Sequence, residues 1–234
     1  MVNKLYGYLK IYGPKLFLKN VIGELRMIGR GPLQNSYSQN SEDIFIDDIL
    51  GNKKVGFYVD VGAYDPTRLS NTKRFYLRGW SGINIEPDPK KITRFYKHRP
   101  RDINLNLGIA NKIGKLTYYK FQPETLSTFS SQAANGYKKE GFKLIGTSKI
   151  SVRKLSDIFS GYCNDKHIDF LSVDVEGYDF EVLKSNDWKK YRPTLICVES
   201  NPISDMAIES LFTKVGYKKV GKNHNNLIFM NKSA

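Results

Sequence analysis

Acidic side chains stand at the ends of four apolar segments of the chain. Asp60 closes "FYVDV", Glu86 closes "SGINIE", Asp174 and Glu176 close "IDFLSVDVEG", and Glu199 closes "TLICVES". A carboxylate can accept hydrogen bonds from two hydroxyl groups, or it can remove a proton from one. The set therefore predicts a site that binds or deprotonates hydroxyl groups.

The apolar segments predict the strands that would bring these acids together. They alternate with helical patterns in "SQNSEDIFIDDIL" and near residues 70–78, 89–97, 178–185 and 204–214, a succession typical of a mostly parallel sheet. In such sheets ligands bind beyond the carboxyl ends of the strands. "YKKVG" and "NLIFM" are separated only by "KNHN" and predict an antiparallel hairpin at the sheet edge.

An insertion separates the third predicted strand, "INLNLGI", from the fourth, "IDFLSVDV". It contains "KLTYYKF", "ETLSTFSS" and "KISVRKL", from which we expect two extra strands joined by a polar loop rich in Gly and Lys. Long loops of this kind often carry substrate contacts.

The turn "VDVGAYDPTRLSNT" indicates which ligand binds beside these acids. Gly62 allows close approach of the backbone to a ligand, but Tyr64 and Thr67 occupy later glycine positions of the G-x-G-x-x-G motif, which seats a pyrophosphate. Glu86 follows at close to the ~20-residue interval at which a carboxylate binds ribose hydroxyls in nucleotide folds. Because acidic strand ends would repel a pyrophosphate, we expect an adenosyl cofactor with a cationic tail, namely S-adenosylmethionine.

Several motifs together resemble the FkbM family of S-adenosylmethionine-dependent methyltransferases. They are "DVGAYDPTRLSNT", "GWSGINIEPDPKKI", "NLGIANKIG", "IDFLSVDVEGYDFEVLKS" and "YRPTLICVES", and the resemblance covers roughly residues 36–231. It implies an α/β, Rossmann-like class I methyltransferase fold with a seven-stranded sheet. O-methylation of sugar or polyketide hydroxyls is the activity that it implies.

The resemblance also implies a role for individual residues of the cofactor site. Gly62 and Ala63 would line the cofactor, Glu86 would hold the ribose, and Gly108 and Ile109 would flank the adenine. Asp174 would face the methionine end, and Gln39 would reach it from the preceding helix. Tyr64 and Pro66 stand where the family usually has Asn and Gly, so this turn must have a different shape.

Some of these acids have a structural alternative. Asp60 would either line the cofactor site or orient the backbone amides of the first loop. Asp174, Glu176 and Asp179 would either belong to the site or cap the helix that begins in "YDFEVLKS". Both alternatives stay open for these residues.

Methyl transfer to a hydroxyl requires a group that accepts the proton. Glu176, Glu199 and His224 are the candidates, with Asp174 beside them at the strand ends. The carboxylates would also suit Mg²⁺ near a sugar diol, but they lack a tight spacing motif. We therefore expect no required metal.

The composition of the chain narrows the classes of possible binding partner but does not identify one of them. The formal charge of +14 attracts nucleic acids, anionic membranes, charged glycans or phosphorylated intermediates, and no aromatic-basic RNA-binding signature is evident. Cys163 and Cys197 are the only cysteines, and we expect free thiols in a cytoplasmic protein. A sugar of a polysaccharide, glycolipid or glycosylated metabolite is the expected acceptor, and a nucleic-acid methyltransferase or a non-catalytic adaptor is the alternative.

The chain divides into a basic amphipathic arm, residues 1–35, and a methyltransferase domain, residues 36–234. The arm carries six Lys or Arg residues against one acid, Glu24, among Leu, Ile, Tyr and Phe. Residues 1–30 would therefore suit contact with an anionic membrane. The simpler alternative, which we favour, is that the arm packs its apolar stripe on the domain.

Overall fold

The computed structural model describes residues 36–163, 165–223 and 225–233. The predicted arm and His224 lie outside these residues. The strands are β1 (Phe57–Val61), β2 (Ser81–Ile85), β3 (Ile103–Leu105), β4 (Gly108–Ile109), β5 (Gly114–Gln122), β6 (Lys143–Arg153), β7 (Phe170–Val173), β8 (Leu195–Glu199), β9 (Tyr217–Asn223) and β10 (Asn226–Asn231). The helices are α1 (Glu42–Ile49), α2 (Lys73–Arg78), α3 (Pro89–His98), α4 (Ser131–Lys139), α5 (Leu155–Tyr162), α6 (Asp179–Lys184) and α7 (Asp205–Lys214).

Seven strands form one twisted sheet in the order β3-β2-β1-β7-β8-β10-β9. The five strands from β3 to β8 are parallel, and β10 runs antiparallel to both of its neighbours. The predicted α/β fold, a mostly parallel seven-stranded sheet with a C-terminal antiparallel hairpin, is confirmed. Strand order reverses between β1 and β7, and in open α/β sheets this is where ligands bind.

The central strands are buried on both faces because helices cover both sides of the sheet. Successive side chains of a strand point to opposite faces, so Tyr58 of β1 and Cys197 of β8 belong to the same core cluster. Two residues further along each strand, Asp60 and Glu199 lie on that face as well. Asp174 joins them, since its N–H continues the ladder from β7 to β1. Strand periodicity thus gathers carboxylates at one end of one face.

The insertion forms a second sheet of three strands in the order β4-β6-β5. β5 and β6 are the two extra strands that the sequence predicted, and they pair antiparallel. The prediction of a loop between these two strands is wrong in part, because the segment contains a short 3₁₀ helix and α4. Ser130 begins α4 by accepting a hydrogen bond from Ala133 N–H, a standard N-cap.

The expectation of one strand over "INLNLGI" is also wrong. The segment ends its pairing in the large sheet after β3 and starts again as β4 in the small sheet. Between them the Asn106 side chain donates to the carbonyl oxygens of Glu86 and Pro87. A Cβ at Gly108 would lie 2.5 Å from the Phe129 ring, so only glycine fits where the two sheets meet.

Both cysteines are free and buried, as expected. Burial raises the pKa of the Cys163 thiol to about 11, which keeps it protonated and unreactive at neutral pH. Within the residues that the structure describes, no helix has the length and apolar character needed to span a membrane.

Candidate functional site

A cleft open to solvent lies beyond the carboxyl ends of β1, β2 and β7. In open α/β sheets this is the place where ligands bind. Its walls include nine residues that the sequence analysis assigned to the site, namely Gln39, Asp60, Gly62, Ala63, Glu86, Gly108, Ile109, Asp174 and Glu176. The structure therefore brings together nearly all of the predicted set.

Gly62 forms the sharp turn at the end of β1. Its φ is +83°, and a Cβ there would lie 1.8 Å from the carbonyl oxygen of Asp174. The N–H groups of Gly62 and Ala63 both donate to the carbonyl of Ile85. Only glycine can occupy this position, because both its backbone angle and its neighbour exclude a side chain.

The loop after Gly62 is held from inside the protein by Arg99. This side chain is fully buried, and it donates two hydrogen bonds to the carbonyl of Pro66, of 3.1 and 2.9 Å. It also donates to the hydroxyls of Ser70 and Thr72, each at 2.8 Å. The glycine-poor turn thus takes its shape from a buried guanidinium.

Asp60 takes part in the same arrangement. It is buried and accepts a hydrogen bond of 2.7 Å from the Thr72 hydroxyl. It therefore anchors the first loop through a side chain, whereas the sequence suggested backbone amides. Burial raises the pKa of Asp60, and the charge of Arg99 opposes this shift.

Glu86 directly follows β2 and belongs to the wall of the cleft. Only 2% of its surface is exposed. One carboxylate oxygen accepts from Tyr64 N–H at 3.0 Å and the other from Asp88 N–H at 2.8 Å. Burial raises its pKa from 4.5 to about 7, against the charge of Lys91 and the two amide bonds. Because each carboxylate oxygen has two acceptor positions, both oxygens can accept one further hydroxyl.

Three carboxylates, those of Asp174, Glu176 and Glu199, lie close together, and we call them the acid cluster. Asp174 and Glu176 line the other end of the cleft, whereas Glu199 is not part of its wall. One oxygen from each lies within 4.8 Å of the others. At this separation two ionised carboxylates repel by about 3.5 kcal/mol at an effective dielectric constant of about 20.

The environment of the acid cluster favours protonation. Burial, followed by the charge of Asp179, raises the pKa of Asp174 from 3.8 to about 7. Burial, followed by the charge of Asp174, raises the pKa of both Glu176 and Glu199 well above 4.5. The cluster is therefore suited to hold a proton or a cation at neutral pH.

A strained turn presents Glu176 to the cleft. Its φ is +56°, which is unfavourable for a residue with a side chain. The Asp179 carboxylate accepts from the N–H groups of Val175 and Gly177, and Thr128 donates to the Glu176 carbonyl at 2.8 Å. Asp179 thus holds the turn before α6, whereas the sequence suggested a cap of that helix, whose N-cap residue is Tyr178.

Three further residues, Glu42, Tyr137 and Asn226, shape the site and were not assigned from the sequence. Tyr137 of α4 donates its hydroxyl to Glu176 Oε2 at 3.1 Å. Asn226 of β10 lines the cleft and donates to Glu42 Oε1 at 3.1 Å. All three lie far from the acidic motifs in the sequence, and only the pairing of β10 with β8 would have revealed Asn226.

A model of the FkbM methyltransferase domain matches residues 60–219. The chain belongs to this family. Membership of the FkbM family, together with the fold, supports methyltransferase activity. No curated protein matches the chain.

One solved structure similar to this FkbM protein is the C-terminal domain of precorrin-6Y C5,15-methyltransferase from Rhodobacter capsulatus. Identity is 11%, the match covers 80% of this chain and 85% of that chain, and the TM-score is 0.40. A TM-score this low adds no support. The roles of the site residues in this FkbM protein stay predictions, and His224 lies outside the described residues.

Proposed function

We propose that the chain is an S-adenosylmethionine-dependent O-methyltransferase that acts on a hydroxyl of a sugar in a polysaccharide, glycolipid or glycosylated metabolite. The observation that carries this proposal is the cleft at the switch point, with a buried carboxylate, Glu86, at one end and the acid cluster at the other. S-adenosylmethionine supplies an electrophilic methyl group on a cationic sulfonium.

The residues of the cleft fit this cofactor. Glu86 has one free acceptor position on each oxygen for the two ribose hydroxyls. Gly108 and Ile109 offer an apolar wall for the adenine, since both are buried where the two sheets meet. Asp174 and Gln39 line the opposite end, and a carboxylate there favours a cationic group over a phosphate.

The acid cluster provides the proton acceptor in this proposal. A hydroxyl that becomes an ether must lose its proton, and a base works best when its pKa lies near the working pH. Glu176 and Glu199 have raised pKa values and lie beside Asp174. Tyr137 orients Glu176 by donating to one of its oxygens.

The charge of the chain supports an anionic acceptor or a membrane-linked one. The formal net charge is +14, although the cleft itself is acidic, so the basic groups serve contacts outside the cleft. We propose a cytoplasmic enzyme, in keeping with its two free thiols, and contact of residues 1–30 with anionic membrane. A nucleic-acid methyltransferase is the alternative that the same charge supports.

Calorimetric titration with S-adenosylmethionine, S-adenosylhomocysteine and NAD tests the cofactor. The first two should bind with one site per chain, and NAD should not bind. If NAD binds and the sulfonium cofactor does not, the proposal fails in favour of an oxidoreductase. If none of them binds, a non-catalytic adaptor is supported.

Transfer of a labelled methyl group tests the acceptor. Sugars, glycolipids and RNAs should be compared as acceptors in parallel. Label in the glycan or glycolipid fraction supports the proposal, whereas label only in RNA supports the nucleic-acid alternative.

A further inference from the structure

The acid cluster has the spacing of a cation site. Mg²⁺ and Ca²⁺ hold oxygen ligands at about 2.1 and 2.4 Å, so two ligands of one ion lie at most about 4.2 to 4.8 Å apart. The nearest oxygens of Asp174, Glu176 and Glu199 already lie within 4.8 Å of one another. Small side-chain adjustments would place all three around one ion.

Asn226 gives a second and independent indication of a ligand. Only 8% of its surface is exposed, it lines the cleft, and its Oδ1 has no hydrogen-bond partner within the part of the chain that the structure describes. Its amide nitrogen donates to Glu42, which fixes Oδ1 as the unpaired end. A buried polar atom without a partner is uncommon in folded proteins.

Strand pairing places this unpaired oxygen beside the acid cluster. Asn226 stands directly opposite Glu199 in the antiparallel ladder between β10 and β8. Residues in such positions share one face of the sheet, with Cβ atoms about 4.5–5.5 Å apart. Oε2 of Glu199 is likewise buried and has no partner among the described residues, so two residues that each carry an unpaired oxygen stand opposite each other in the ladder.

The acid cluster has no direct ion-pair partner within the described residues. Among the ion pairs of residues 36–163, 165–223 and 225–233, none involves Asp174, Glu176 or Glu199, although the charge of Lys91 acts on Glu176 without forming an ion pair. Carboxylates withdrawn from water are normally paired with a cation or coordinate a metal.

We propose that the acid cluster, with Asn226 Oδ1 as a fourth ligand, binds a hard divalent cation such as Mg²⁺ or Mn²⁺. Ligand sets made only of oxygen select these ions over zinc or copper. The proposal differs from the sequence-based expectation that no metal is required, because that expectation rested on spacing along the chain. The carboxylates converge through the turn after β7 and the adjacent strand β8.

The ion would act on the acceptor, and this step rests on the proposed function. Four protein ligands leave about two of the six positions that Mg²⁺ prefers, and an acceptor hydroxyl can occupy one. Coordination lowers the pKa of a bound hydroxyl. Its proton would then pass to a carboxylate oxygen of the cluster that does not bind the ion.

Titration of the full chain with Mn²⁺, followed by the electron paramagnetic resonance signal of the free ion, tests the site directly. We expect one bound ion per chain. Loss of an outer-shell partner already costs about 10–100-fold in metal affinity, so Glu199→Gln and Asn226→Ala should each weaken binding at least about tenfold. Glu209→Gln is the matched control, because Glu209 is exposed and pairs with Lys219, and it should bind Mn²⁺ as the unchanged chain does.

The outcomes of this titration distinguish the metal site from the proposed methyltransferase function. Equal Mn²⁺ affinity in Glu199→Gln and in the control would overturn the metal site, whether or not Asn226→Ala folds. Loss of bound Mn²⁺ on saturation with S-adenosylmethionine would also overturn it, since Asp174 would then serve the cofactor's cationic end and not the ion. Mn²⁺ binding without any cofactor binding would instead refute the methyltransferase proposal and leave the metal site intact.

Discussion

The position of Glu86 predicts that ribose binding depends on pH. The carboxylate must be ionised to accept from both ribose hydroxyls while it holds Tyr64 N–H and Asp88 N–H. Its pKa is raised to about 7 by burial, so below pH 7 the free protein carries a proton there. Affinity should therefore fall as the pH falls, and it should level off above pH 8.

The size of the effect follows from this pKa. About nine tenths of Glu86 is ionised one unit above a pKa of about 7 and about one tenth one unit below it. Binding should accordingly be about tenfold weaker at pH 6 than at pH 8. Removing the charge in Glu86→Gln costs roughly 1.5–3 kcal/mol, or about one to two orders of magnitude in the dissociation constant at pH 8.

Adenosine is the suitable ligand for the assay, because it lacks the cationic methionine end. The pKa of Asp174 is also raised to about 7, and a cationic ligand would report both residues. Calorimetry at pH 6, 7 and 8 should show the pH dependence in the unchanged chain and none in Glu86→Gln. Glu124→Gln is the control, since it removes another carboxylate from the cleft wall.

Two results would refute the reasoning on Glu86. One is adenosine affinity that stays constant from pH 6 to pH 8 in the unchanged chain. The other is a folded Glu86→Gln variant that binds adenosine as tightly as Glu124→Gln does.

Three further changes have defined outcomes. Glu176→Gln and Glu199→Gln should each lower turnover by about two to four orders of magnitude with little change in cofactor affinity. If both variants keep full turnover and His224→Ala loses it, the base is the histidine. Deletion of residues 1–30 should abolish salt-sensitive binding to anionic vesicles and leave cofactor affinity intact, and an unfolded product would show that the arm is structural. Gly62→Ala should lower the free energy of unfolding by at least about 1–3 kcal/mol in urea titration, and unchanged stability would contradict the steric argument.

The sequence predicted the large sheet because its strands are apolar runs that end in polar residues. The same pattern assigned the ends of β1, β2 and β7, and Gly62, Glu86 and Asp174 all line one cleft. These are local signals, since a residue that closes a buried parallel strand lies at the binding edge whatever its neighbours are.

The remaining features depend on contacts between distant parts of the chain. Arg99 reaches Pro66 across a separation of 33 residues, and nothing in the local pattern distinguishes it from a surface arginine. Tyr137 meets Glu176 only because α4 packs beside the turn that carries Glu176. The spacing within the acid cluster and the pairing of Asn226 with Glu199 depend on strand order and register, which one sequence does not specify.

The separation between the two sheets has a consequence for how such an enzyme diversifies. The chain leaves the large sheet after β3 and returns to the main core at α5, so the small sheet and α4 form one continuous excursion. The excursion touches the acid cluster through Thr128 and Tyr137 but supplies no strand to the large sheet. Gly108 and Ile109 of β4 line the cleft and must stay, but the length and composition of the excursion after β4 can change without altering the strand order of the large sheet. Evolution or a designer can therefore vary that part to reach new acceptors.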